Sequence, residues 1–138
     1  MPTVSLVNAL VTLLNGAADL QAATGRAFSA RVAEVWNLPG SVSYPVLAIM
    51  PDSTDSVPEQ FSTLAEGYTV RMYYVTDGPM LEAAQFRDAL RAKLHLQQVS
   101  LRASGQLYVQ KIKMVGSRVM VLPDVNKHQA YCEFRLVA

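Results

Sequence analysis

The chain is poor in the residues on which most site chemistry depends. Among 138 residues there is one cysteine, Cys132, and there are two histidines, His95 and His128. A single thiol excludes an intrachain disulfide and any zinc site built on several cysteines. No HExxH or Cys-His cluster is present, so no metal or other cofactor is expected. Charged residues make up only 17% and the net charge is +1, which gives no general pull toward nucleic acid or anionic membranes. The glycines form neither GxxxxGK[ST] nor GxGxxG, and no GxSxG occurs. Phosphate-cradling loops and the serine elbow are therefore absent as motifs. No apolar run reaches the length that spans a bilayer. The opening "MPTVSLVNALVTLL" has the apolar content of a signal peptide. It has no basic n-region, however, and Ser5, Asn8 and Thr12 interrupt it, so a soluble protein acting where it is made is expected.

What the sequence does contain is apolar residues, at 51%. With this length, that share supports one self-sufficient domain over residues 1–138. The high apolar and low charged shares hint at surface covered by other subunits.

Val4, Val7, Leu10, Val11 and Leu14 recur at the spacing of one helix face, with "TG" at 24–25 as a firm stop. Gly16 either ends that helix or only weakens it. Residues 29–36, "SARVAEVW", read as a strand or a short helix. "YPVLAIM" (44–50) reads as a buried strand closed by Pro51. A long polar loop is expected at about 51–64, longer than a tight hairpin needs. From 68 to 74, Tyr68, Val70, Met72 and Tyr74 alternate with Thr69, Arg71 and Tyr73, the period of a half-buried antiparallel strand. "TDGP" (76–79) begins a helix capped by Asp77 or Gly78. Ala83, Phe86, Leu90 and Leu94 form its inward stripe, with Glu82, Arg87, Asp88 and Arg91 outside. His95 falls at the C-terminal end, where the helix dipole favours positive charge. "QLYVQKIKMV" (106–115) reads as a strand broken at Gly116-Ser117, with "RVMVL" (118–122) returning as its hairpin partner. In 131–137, Cys132, Phe134 and Leu136 share one face. The expected class is α+β: a mainly antiparallel sheet of about four to six strands against two helices.

Each chemical candidate has a plainer structural reading. Asp124 and His128 can meet in a turn, but a solvated pair fits better. Cys132, on the inward side of its strand, reads as a core residue rather than a nucleophile. Asp52, Asp55 and Glu59 lack the central glycine of an EF-hand loop. Arg71 and Tyr73 can stack on bases, yet the same types are common at protein interfaces. No catalytic residue is assigned, and no enzyme activity is expected. A small ligand-binding or enzymatic domain, with Tyr68, Tyr74 and a histidine around a pocket, stands as the alternative from another class.

One constellation remains, and it concerns charge. Asp52, Asp55, Glu59 and Glu66 form a stretch with four acids and no bases. Arg87, Arg91, Lys93, Arg102, Lys111, Lys113 and Arg118 are seven bases set against Asp88 alone. Complementary patches on one subunit favour head-to-tail association. Alternatively, the two regions neutralise each other within the fold.

The layout resembles the tail terminator (tail completion) proteins of long-tailed bacteriophages, and more loosely other neck and head–tail joining proteins. The likeness rests on order: an N-terminal amphipathic helix, "YPVLAIMPD", a polar excursion, "GYTVRMYYVTD", the helix "MLEAAQFRDALRAKL", and the closing "AYCEFRLVA". It implies a homo-oligomeric ring, most simply a hexamer, that caps the tail tube and stops its polymerisation. The ring would present a docking surface to the head or a neck protein, and DNA would pass through its lumen without sequence-specific binding. The location implied is the virion, after assembly in the host cytoplasm, with no membrane contact. A head-completion or connector protein of the neck is the alternative within that class.

Overall fold

A computed structural model describes residues 3–15, 17–32, 44–56, 66–96, 99–103, 105–109, 111–123 and 126–137. For 3–6, 51–56, 66–68, 99–103, 105–109, 111 and 137 the backbone alone enters this account.

The N-terminal periodicity produces two helices rather than one. α1 (Thr3–Leu14) buries Val7, Leu10 and Leu14, and α2 (Ala18–Thr24) buries Leu20. Between them Asn15 leaves the helix, and its Oδ1 accepts the Ala30 N–H at 3.2 Å. The break thus anchors the first strand. Gly25 ends α2 with φ 73°, its N–H on the Gln21 carbonyl, a left-handed cap that favours glycine. With α3 below, the described residues form three helices where two were expected.

Residues 29–32 settle as a strand, β1 (Ser29–Val32), which runs parallel to β2 (Val46–Ser56). Residues 33–36 of the expected strand lie outside the described residues. β3 (Glu66–Thr76) pairs antiparallel with β2 along its whole length. Pro51 does not close β2, contrary to expectation. The strand steps past it through a register shift between Pro51 and Ser53, the kind of bulge that tolerates a missing N–H. The expected loop at 51–64 is therefore strand from 51 to 56, and Ser56 stands opposite Glu66.

α3 (Met80–Leu94) follows with Pro79, not Asp77 or Gly78, at its N-cap and no side-chain cap bond. The Asp77 carboxylate is drawn instead to Arg26, at 2.9 Å. Ala83, Phe86, Leu90 and Leu94 are buried as expected. Glu82 was expected outside and is buried, at 5% exposure. It stands four and eight residues before Phe86 and Leu90, so helical geometry places it on their stripe.

β4 (Val99–Ala103) and β5 (Gly105–Val109) form a separate hairpin. β6 (Lys111–Leu122) and β7 (Lys127–Val137) complete the main sheet, in the order β1-β2-β3-β7-β6. Gly116-Ser117 is not a turn. β6 runs through it with a register shift between Met114 and Gly116. A two-residue hairpin needs positive φ, which neither residue adopts. The β6–β7 turn comes later, with Asn126 at φ 53°.

One face of the sheet meets the helices. Leu47, Ile49, Val70, Met72, Tyr74, Cys132, Phe134 and Leu136 join the helix residues in one apolar cluster. Phe86 lies flat against Tyr74, with centroids 3.9 Å apart, and edge-on to Phe28 at 5.1 Å. The fold is α+β, as expected.

Candidate interaction surface

The sequence singled out acids and bases, and the fold distributes them unevenly. Asp52 and Asp55 fall in the second half of β2, and Glu66 begins β3. Glu59 lies outside the described residues. Arg87, Arg91 and Lys93 are on α3, Arg102 on β4, and Lys111, Lys113 and Arg118 on β6. The seven bases are thus spread over α3, β4 and β6.

Two of the helix bases pair with acids, and one of those acids, Asp19, was not among those the sequence reading set against them. Lys93 Nζ is 3.1 Å from Asp19 of α2, and Arg87 is 3.2 Å from its neighbour Asp88. The hydrogen bond from Lys93 holds the Asp19 carboxyl below its ordinary range. Arg91 is exposed, and with Asp88, Ala92 and His95 it lines an open groove of about 470 Å³.

On β6, Lys113 and Arg118 are exposed. The Arg118 guanidinium lies 5.7 Å from the ring centre of Tyr131, which in turn sits 5.2 Å from Tyr73. Arg71 and Glu133 pair at 3.4 Å across β3 and β7 on this same helix-free face. Register places Asp55 opposite Gly67, Gly67 opposite Val137, and Val137 opposite Lys111. Asp55 and Lys111 thus share one end of the sheet, on strands separated by β3 and β7. At the usual strand spacing that is about 14 Å across the sheet. Arg118 is level with Tyr131, Tyr73 and Ala48, farther along.

Sequence reasoning missed a polar cluster around Glu82. Tyr74 Oη donates to Glu82 Oε2 at 2.9 Å, and the Thr76 hydroxyl donates to the same oxygen. Arg26 reaches Glu82 Oε1 at 3.0 Å and Thr76 Oγ1 at 3.2 Å. Burial, and next the Glu82 carboxylate, push the Tyr74 phenol well above its ordinary range. The recoverable signal was spacing: 82, 86, 90 and 94 form an unbroken four-residue series. The cluster consumes its donors internally, which is the behaviour of a structural lock rather than a reacting centre.

The other chemical candidates do not converge. His128 Nδ1 donates to the Gly78 carbonyl at 2.8 Å, beside the start of α3. His95 Nδ1 accepts the Met114 N–H at 2.9 Å, beside its end. A fifteen-residue helix separates the two rings by about 20 Å. Tyr68's side chain and Asp124 lie outside the described residues. Cys132 is buried, and burial pushes its thiol up to about 12. Among the described residues no three potential ligands gather around a metal position, and no helix is long and apolar enough to cross a membrane.

The same architecture occurs in a solved structure described as the virion of a native gene transfer agent particle. One of its chains superimposes with a TM-score of 0.66 at 16% identity, covering 96% of this chain and 92% of that one. What the two share is the fold. No protein-family model matches the sequence, and no curated protein does.

Proposed function

We propose that this chain is a structural subunit of a phage-type virion, acting as a tail terminator: a ring that caps the tail tube, ends its growth and offers the head a docking surface. The carrying observation is the end-to-end fold likeness to a chain of a gene transfer agent virion. The tail-terminator layout read from the sequence points the same way. Support also comes from how the polar residues are used. The buried carboxylate, both histidines and the thiol serve the fold, so the remaining chemistry is an arrangement of surface charge. Assembly with copies of itself, with tail tube protein and with a neck protein is the role that such a surface serves.

The test is direct. Purified protein is added to growing tail tubes, and the tubes are examined by electron microscopy. Capped tubes of limited length are expected. Tubes that stay uncapped overturn the terminator role. Binding instead to the head-side ring puts the connector of the neck in its place.

A further inference from the structure

β6 carries exposed bases and the second half of β2 carries two aspartates, and among the described residues each lacks a strand partner on one side along part of its length. β6 is one edge. Its first half is stitched to the end of α3: the Leu96 N–H bonds the Ile112 carbonyl at 2.8 Å, and the Met114 N–H bonds His95. Main-chain groups facing away from β7 are satisfied there. From Gly116 to Leu122, no strand among the described residues takes them. Exposed Arg118 lies in this open stretch, and exposed Lys113 just before the bulge. Val115 and Val121, each 49% exposed, flank Arg118 with apolar surface.

On the other side of the sheet β1 is the outermost strand, with β2 next to it. β1 pairs only with Val46–Ile49. From Met50 to Ser56, no described strand lies on that side of β2. This stretch holds Asp52 and Asp55 and no base, with Glu66 opposite its last residue.

We propose that the acidic edge of β2 in one copy docks on the basic edge of β6 in a second copy, continuing the sheet head-to-tail. The contact deepens the ring reading and depends on it only for closure. Main-chain hydrogen bonds would supply attraction along the strands, as in strand addition, while the charges choose the partner edge. Lysine and arginine on an edge normally repel pairing. Here they oppose a β6–β6 contact, and the aspartates oppose β2–β2. Only the unlike pairing brings opposite charges together, and it is heterologous, the kind of contact that builds rings or filaments.

Two charge-reversed proteins test this. One carries Lys113→Glu with Arg118→Glu; the other carries Asp52→Lys with Asp55→Lys. Circular dichroism and melting first establish that each folds. Sedimentation and native mass spectrometry at low salt then read assembly. Wild type should self-associate, and each variant alone should associate roughly tenfold or more weakly. An equimolar mixture, and a single chain carrying all four changes, should recover association. Raising the salt should weaken it. A wild type that stays monomeric, variants that associate like wild type, or a mixture that stays dissociated would each overturn the contact. Oligomers indifferent to the swaps that still cap tubes remove this contact and leave the terminator reading. Oligomers that obey the swaps but never cap tubes do the reverse.

Discussion

Arg26, in the turn before β1, holds its guanidinium 3.0 Å from the buried carboxylate of Glu82 in the first turn of α3. That one contact joins the α2–β1 turn to the start of α3, and the end of β3 completes it through Tyr74 and Thr76. Removing Glu82 strands two buried hydroxyl donors, whereas removing Arg26 leaves a carboxylate that Tyr74 and Thr76 still bond. Glu82→Ala should therefore destabilise by about 1–3 kcal/mol, and Arg26→Ala by less, because its side chain is 36% exposed. Urea unfolding at matched m-values measures both.

Phe86 fills the space between Tyr74 and Phe28. Phe86→Ala should cost about 3–5 kcal/mol, and Phe86→Leu less, since it keeps most of the volume. Chemical denaturation checks the order. A larger loss for the leucine variant would mean that ring stacking outweighs volume.

Acid should weaken the fold through two aspartates. The hydrogen bond from Arg26 holds Asp77 below its ordinary value of 3.8, and Lys93 does the same for Asp19. Depressed folded pKa values stabilise fully above the unfolded value. That stabilisation fades as pH falls from about 4 through the folded values. Both groups are half exposed, so the effect is modest. In Asp77→Asn the decline of the urea midpoint between pH 4 and pH 2.5 should be shallower than in wild type.

The buried Cys132 thiol has the opposite linkage. Its folded pKa is raised from 9.0 to about 12, so its contribution is complete below pH 9 and is lost as pH rises toward 12. The native thiol should resist a thiol-specific reagent at pH 8 and react at the rate at which the protein opens. Rapid labelling of the folded protein would contradict its burial.

Ser56 and Glu66 face each other across β2 and β3. Replacing residues 57–65 by Asn-Gly should close that hairpin with a two-residue turn. The monomer should keep its circular dichroism and melting temperature. On the terminator reading, capping of tail tubes should weaken. Unaltered capping would assign the segment no part in assembly.

Much of this molecule is written in local pattern. The alternation through Val70, Met72 and Tyr74, and through Cys132, Phe134 and Leu136, fixes the sheet face that meets the helices. A period-two strand cannot bury its other face without losing that pattern. The stripe Ala83, Phe86, Leu90 and Leu94 fixes the inward side of α3 in the same way. Positions where local preference conflicted with a tertiary demand were not legible. Pro51 and Gly116 look like strand breakers, yet pairing with long neighbours carries β2 and β6 through both by bulges. Glu82 looks like a solvated residue, yet Arg26 from the α2–β1 turn and Tyr74 and Thr76 from the end of β3 make its burial tolerable. The sequence determined that acids and bases lie in separate stretches. Only the tertiary structure decided that Asp52 and Asp55 on β2 and Lys111, Lys113 and Arg118 on β6 lie across one sheet while the other bases fall on α3 and β4, because strand order is set by long-range pairing and no residue encodes it locally.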